Sequence, residues 1–178
     1  MSTINTQLYQ SPCGPLLLGS FEGRLCLCDW LAEAHRLVAD RRLERELKAS
    51  FVDEPSDTTR QAATELDEYF AGQRRVFSLP LLFVGTDFQK RVWRALLDVP
   101  FGTTRSYAWL AAKIGNPKAV RAVGTANGAN SISIFAPCHR IIGSNHSLTG
   151  YGGGLEAKRY LLDLEQPRTL FAGKYMLD

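Results

Sequence analysis

Residues 106–127 read Ser106-Tyr107-Ala108-Trp109-Leu110-Ala111-Ala112-Lys113-Ile114-Gly115-Asn116-Pro117-Lys118-Ala119-Val120-Arg121-Ala122-Val123-Gly124-Thr125-Ala126-Asn127. Ser106 can cap a helix over Tyr107 to Ile114, its hydroxyl accepting from a backbone N–H that has no partner within the helix. Gly115 stands where a helix closes in a left-handed conformation. Asn116-Pro117 then opens a second helix, because proline lacks the N–H that a first helical position leaves unused. The stretch predicts helix, tight turn, helix, with Lys118 and Arg121 on the second helix. Ala119, Ala122, Gly124, Ala126 and Gly128 keep that helix thin, so a partner could approach its backbone. A helix-turn-helix that lays its second helix in a DNA groove has this outline. So does an αα-hairpin packed into a core.

Charge bears on the choice. The chain carries +3, but residues 88–159 hold 10 Lys/Arg against 2 Asp/Glu, or +8, and residues 1–85 hold 9 against 12, or −3. A basic stretch around a helix-turn-helix fits nucleic acid, and an uneven solvated surface gives the same count. Upstream, Thr86-x-x-Gln89 is a capping box. Phe88, Val92, Ala95 and Leu96 form a helical stripe that ends near Pro100. Before Gly85 the texture changes. Leu16 to Ser20, a Glu22-Gly23 turn and Leu25 to Trp30 read as a β-hairpin. Helices are expected over about residues 32–50 and 58–71. Residues 76–84 look extended, with Pro80 suited to an edge strand.

With 178 residues, 45% hydrophobic and 22% charged, the chain is a globular protein rather than a disordered or fibrous one. Its longest apolar runs, such as Leu79 to Val84, are far too short to cross a bilayer. The polar start, Met1 to Gln10, has no signal-peptide blocks, and four cysteines make no disulfide scaffold. The expectation is a cytoplasmic protein with reduced thiols and no membrane partner.

Downstream, Ile132 to Phe135 reads as a short buried strand running into Ala136-Pro137-Cys138-His139-Arg140. Pro137 loosens the pairing there. A cysteine at such a break, followed by histidine, offers a thiol beside a base. Thiolate is the reactive form, and a nearby imidazole lowers the thiol's pKa. A cysteine that merely packs in a core gives the same local sequence.

The longer pattern is more specific. Pro137-Cys138-His139-Arg140 resembles the active-site motif of the O6-alkylguanine-DNA alkyltransferases, which repair DNA by a single self-inactivating turnover. Phe88-Gln89 with Val92-Trp93, Pro100-Phe101-Gly102, Ser106-Tyr107, Leu110-Ala111 and Gly115 to Gly124 are similar to the same family. So are Asn130, Gly150-Tyr151 with Gly153-Gly154, Lys158, and Leu161-Leu162 with Glu165. The likeness is close over about residues 86–166. In the first 85 residues it is loose, resting on Ser11-Pro12 with Gly14 and Tyr69-Phe70 with Gly72.

The resemblance implies an α/β (α+β) protein. Residues 1–84 would form a small antiparallel sheet with helices, as a support domain. Residues 85–166 would form a mainly helical domain with a winged helix-turn-helix, and residues 167–178 a tail, whose role the sequence leaves open although Leu170, Phe171 and Tyr175 could dock on the body. The implied partner is double-stranded DNA containing O6-alkylguanine, with O4-alkylthymine left open, and the implied state is a monomer. Cys138 would take the alkyl group. His139 would be its base and Glu165 the orienting carboxylate, while Asn130 would brace the turn. Tyr107 would crowd the phosphate and bond the base, and Arg121 would replace the flipped base in the stack. Ser106 and Lys118 would join the DNA contact, and Tyr151, Gly152, Gly153 and Asn127 the base pocket. Arg140 reads as an ion-pair partner. Ser131 and Gly152 depart from the family, where proline and serine are frequent.

The residues also leave room for a DNA-binding regulator without transfer activity, or for a cysteine hydrolase built on Cys138 and His139. Some family members hold zinc in the first domain, but Cys13, Cys26, Cys28 and His35 lack the spacing of a zinc site. No metal and no cofactor are expected. No glycine-rich nucleotide loop follows a strand, and His146 reads as a solvated loop residue.

Overall fold

The computed structural model describes residues 2–31, 35–145, 148 and 150–166. The expected hairpin is present as β2 (Gly14–Phe21) and β3 (Arg24–Trp30), paired antiparallel. Beside them lies β1 (Ser2–Ser11), antiparallel to β2. Its sequence is mostly polar, and only Ile4, Thr6 and Tyr9 are buried. A strand supported mainly by its neighbours' hydrogen bonds gives little period-2 signal, so no strand is expected there from sequence.

The first helix, α1 (His35–Leu47), ends earlier than expected. Lys48 turns into the left-handed region at φ 50°, and Ala49 and Ser50, expected at the end of the helix, open β4 (Ala49–Val52), parallel to β1. The sheet order is β3-β2-β1-β4, so one parallel pair joins the expected antiparallel strands. Helix α2 (Asp57–Phe70) begins at a Ser56/Thr59 capping box. Ile4, Cys26, Leu27, Leu43, Ala49 and Val84 form a core on this sheet. Residues 76–84 form no strand. Leu25 N donates to Pro80 O at 2.9 Å, and Leu82 N to Leu25 O at 2.8 Å. This single bridge at the sheet edge is all the pairing that a proline without an N–H leaves there.

The other helices are α3 (Asp87–Leu96), α4 (Tyr107–Lys113), α5 (Val120–Gly128) and α6 (Leu155–Glu165). The Thr86/Gln89 capping box opens α3, and the Ser106 hydroxyl caps α4 at Trp109 N. Gly115 has φ 82°, as its place after α4 requires. The second helix of the helix-turn-helix starts later than expected. Residues 116–119 form a turn, with Ala119 N donating to Asn116 O, and α5 begins at Val120. Lys118 therefore precedes the helix rather than lying on it, and Arg121 is in its first turn. The indole of buried Trp93 on α3 donates to Ala126 O on α5 at 2.8 Å. β5 (Arg105–Ser106) and β6 (Ile141–Ile142) make a short parallel pair.

The chain divides into one unit of Met1–Gly85 with Ser131–Phe135, and another of Thr86–Asn130 with Ala136–Asp178. From the sequence, residues 131–135 are expected in the second domain, with Ile132–Phe135 as a strand. They form instead a buried strap in the first unit, joined to β3 by one bridge, Cys28 to Ile132, before the chain turns. The expected tail, 167–178, and His146 lie outside the described residues.

Candidate active site

Two consecutive turns of opposite hand precede Cys138. At Ile134, φ is 73° and Phe135 N donates to Ser133 O at 2.9 Å. This is the rarer form of γ-turn, and holding a β-branched residue there costs on the order of 1–3 kcal/mol. At Pro137, φ −80° and ψ 65° bring Cys138 N to Ala136 O at 2.7 Å, the common inverse γ-turn. A single 3-10 turn, Cys138–Arg140, follows. Asn130 Nδ2 donates to Ala136 O at 2.9 Å, and Asn127 Nδ2 to Cys138 O at 3.4 Å. Both asparagines are buried and brace the turn that carries the thiol.

His139 and Glu165 meet inside the same unit, with Nε2 and Oε2 2.7 Å apart. Arg140 grips the same carboxylate from the other side, Nε to Oε1 at 2.7 Å and Nη2 to Oε2 at 3.0 Å. Its Nη1 donates to Val99 O at 2.7 Å, and its guanidinium lies over Phe101. The fork geometry suits arginine and not lysine. Burial pushes the Glu165 carboxyl up, but His139 and Arg140 outweigh it and hold it well below the usual carboxylate range. Burial lowers the pKa of His139, against the pull of Glu165. An ionised Glu165 accepts from Nε2, which leaves the lone pair on Nδ1. That atom is buried and has no hydrogen-bond partner among the described residues. A neutral imidazole with a bare acceptor nitrogen is a base ready for a proton.

Gly102 explains how the end of α6 is seated. Its φ is 80°, and a Cβ there would stand 3.1 Å from Glu165 O. Lys158 on α6 is fully buried, and its ammonium donates to Ile141 O at 2.6 Å. Burial brings its pKa down to about 8, while the nearby Cys138 works the other way. A buried cation near a thiol favours thiolate. Lys158 belongs to the family pattern, but the sequence assigns it no role, because a lysine in a helix ordinarily reads as solvated.

The rings of Tyr151 and His139 lie nearly perpendicular, with centroids 6.5 Å apart. Tyr151 opens the turn through Gly152 and Gly153 that Gly154 N closes on Tyr151 O at 2.9 Å. Tyr107 begins α4 and faces Gly124, where a Cβ would come 3.7 Å from its ring. Arg121 is exposed on α5, and Ala122, Thr125 and Gly128 complete a thin exposed face. Arg121 and Lys118 border an open cavity of about 680 Å³ together with Thr86 and Gln89. Among the described residues no group of three His, Cys, Asp or Glu is placed to hold a metal.

Residues 87–167 match the family described as "6-O-methylguanine DNA methyltransferase, DNA binding domain". Residues 4–83 match "6-O-methylguanine DNA methyltransferase, ribonuclease-like domain". A methylated-DNA–protein-cysteine methyltransferase of Methanosarcina acetivorans is 44% identical over 89% of this chain and 96% of its own. That of Mycobacterium leprae is 42% identical over 94% and 95%. The crystal structure of Mycobacterium tuberculosis OGT in complex with DNA has a TM-score of 0.76 at 41% identity, covering 92% of each chain. Matches to both halves, and relatives aligned over nearly their whole length, agree with the buried Cys138-His139-Arg140 turn and its Glu165: the chain belongs to the methylated-DNA–protein-cysteine methyltransferase family.

Proposed function

We propose that this protein repairs O6-alkylguanine in double-stranded DNA by moving the alkyl group to Cys138. The observation that supports this most is the buried His139, held by Glu165 and bare at Nδ1, next in sequence to the thiol. The thiol proton passes to His139 Nδ1, through a water. The thiolate Sγ attacks the saturated alkyl carbon in line, an S–C bond forms, and the C–O6 bond breaks with its electron pair on O6. The guanine takes up a proton, the imidazolium of His139 gives up the one it received, and the protein keeps a thioether. A soft thiolate suits a saturated carbon, and no side chain here can hydrolyse a thioether, so each molecule acts once.

Glu165 orients His139 and stabilises the imidazolium that forms. Asn130 and Asn127 keep the turn in place. Arg121 enters the duplex in place of the flipped guanine, whose unstacking costs a few kcal/mol. Ser106 and Lys118 meet the backbone, and Tyr107 bonds the base as charge leaves the alkyl group. Tyr151, Gly152 and Gly153 line the base pocket. We take the protein to act in the cytoplasm as a monomer, with its four cysteines outside any disulfide. No helix among the described residues is long and apolar enough to cross a membrane.

Replacing the thiol tests this reading. Cys138→Ser should bind an O6-methylguanine duplex as tightly as the parent and remove no methyl. A variant that still demethylates the duplex would overturn the assignment of Cys138.

A further inference from the structure

We infer that Phe77, in the first unit, is a positioning residue for the nucleophile, acting through the strap Ser131–Phe135. The inference rests on Cys138 being the alkyl acceptor. Every residue of the strap is buried. Its backbone is tied to β3, with Cys28 N donating to Ser131 O at 2.9 Å and Ser133 N to Cys28 O at 2.8 Å. Beyond those two bonds comes Ile134 at φ 73°, a conformation that a β-branched residue does not keep unaided. Something must hold the chain on its far side. There the ring of Phe135 packs on Phe77, centroids 4.4 Å apart, and Phe77 packs on Tyr69 at 5.5 Å.

Phe77 is itself fixed. The next residue, Ser78, donates from N and from Oγ to the buried Glu65 carboxylate of α2, at 2.8 and 2.9 Å. Gln61 donates to the same carboxylate at 3.0 Å. Packing in the first unit therefore sets where Phe135 lies, three residues before Cys138. The link between them has little slack, because Ala136 O accepts from both Cys138 N and Asn130 Nδ2. A shift of Phe135 passes to the thiol. In-line displacement is sensitive to such a shift, and a misplacement of about 1 Å can cost about a hundredfold in rate.

The test compares the parent chain with Phe77→Ala, Phe77→Leu and Phe135→Leu. Single-turnover methyl transfer is measured beside affinity for an undamaged duplex, at a temperature where melting curves show each variant folded. Phe77→Ala should slow transfer by about tenfold while DNA affinity stays within about twofold. Phe77→Leu should recover most of the rate, because a large apolar side chain again backs Phe135. If Phe77→Ala does not fold, the two leucine variants carry the test, with slowing of about threefold expected at unchanged affinity. Parent-like rates in the folded variants overturn the inference and leave the proposed function standing. Equal losses of rate and affinity also overturn it, since they report a general loss of structure. A parent chain that transfers no methyl overturns both.

Discussion

The second unit keeps its charges in two opposite ways. In the cluster of His139, Arg140 and Glu165 they are buried, and one carboxylate answers two cationic or titratable partners at 2.7 to 3.0 Å. At the start of α5 and in the turn before it they stand in solvent, where Arg121 and Lys118 border an open cavity. A buried ionised group depends on its partners, because removing one leaves the other without water or counter-charge. An exposed cation is kept by water and is available to a ligand. Loss of a residue from the cluster should therefore lower stability and chemistry together. Loss of a residue from the exposed face should change only what happens on DNA.

The largest effect belongs to Glu165→Ala. It strands Arg140 and His139 in the interior, and urea unfolding should show a loss of about 3–5 kcal/mol, with methyl transfer lost. A loss under about 1 kcal/mol would mean that the cluster is not what holds this end of α6. Gly102→Ala comes next. It forces a side chain to φ 80° and against Glu165 O. The expected destabilisation is about 1–2 kcal/mol in the same measurement, with slower transfer.

Acidification sharpens the comparison. Burial sets the pKa of His139 below its ordinary value. Below about pH 6.5 the unfolded chain then binds a proton that the folded chain does not. Stability should be full above that pH and fall on acidification, at up to about 1.4 kcal/mol per pH unit, until the folded-state pKa is reached. His139→Gln should flatten that slope, which urea midpoints at two pH values would show. The acid limb of the transfer rate should also lie below that of an ordinary histidine. The smallest effect on stability belongs to Arg121→Ala, within about 0.5 kcal/mol of the parent. Its effect should be on function: slower transfer from duplex DNA, with transfer from the free alkylated base unchanged. Equal slowing on both substrates would contradict its place in the stack.

Much of this contrast was legible in the sequence. The capping signals at Thr86 and Ser106 and the left-handed Gly115 placed α3 and α4, since each depends on local backbone chemistry. The family pattern picked out Cys138, His139 and Glu165 and also Asn130, which the fold brings together. What stayed hidden depends on distant neighbours. β1 is polar and paired on both sides, and Lys48 ends α1 without a glycine to announce it. The apolar run Ile132–Phe135 reads as a strand by composition, yet turns at Ile134, where φ is 73°. Proline at the expected first helical position was overridden by the turn at residues 116–119. Burial of Lys158 follows from the carbonyl of Ile141, a partner that no local spacing reveals.

The central claim is that one thiol takes one alkyl group and keeps it. Incubating the protein with excess O6-methylguanine duplex, weighing it intact and mapping the peptide tests this most directly. The account predicts a plateau at one methyl per chain, located on Cys138, with no further repair after it. Continued turnover, or a folded protein whose Cys138 carries no methyl while the duplex is repaired, would contradict it.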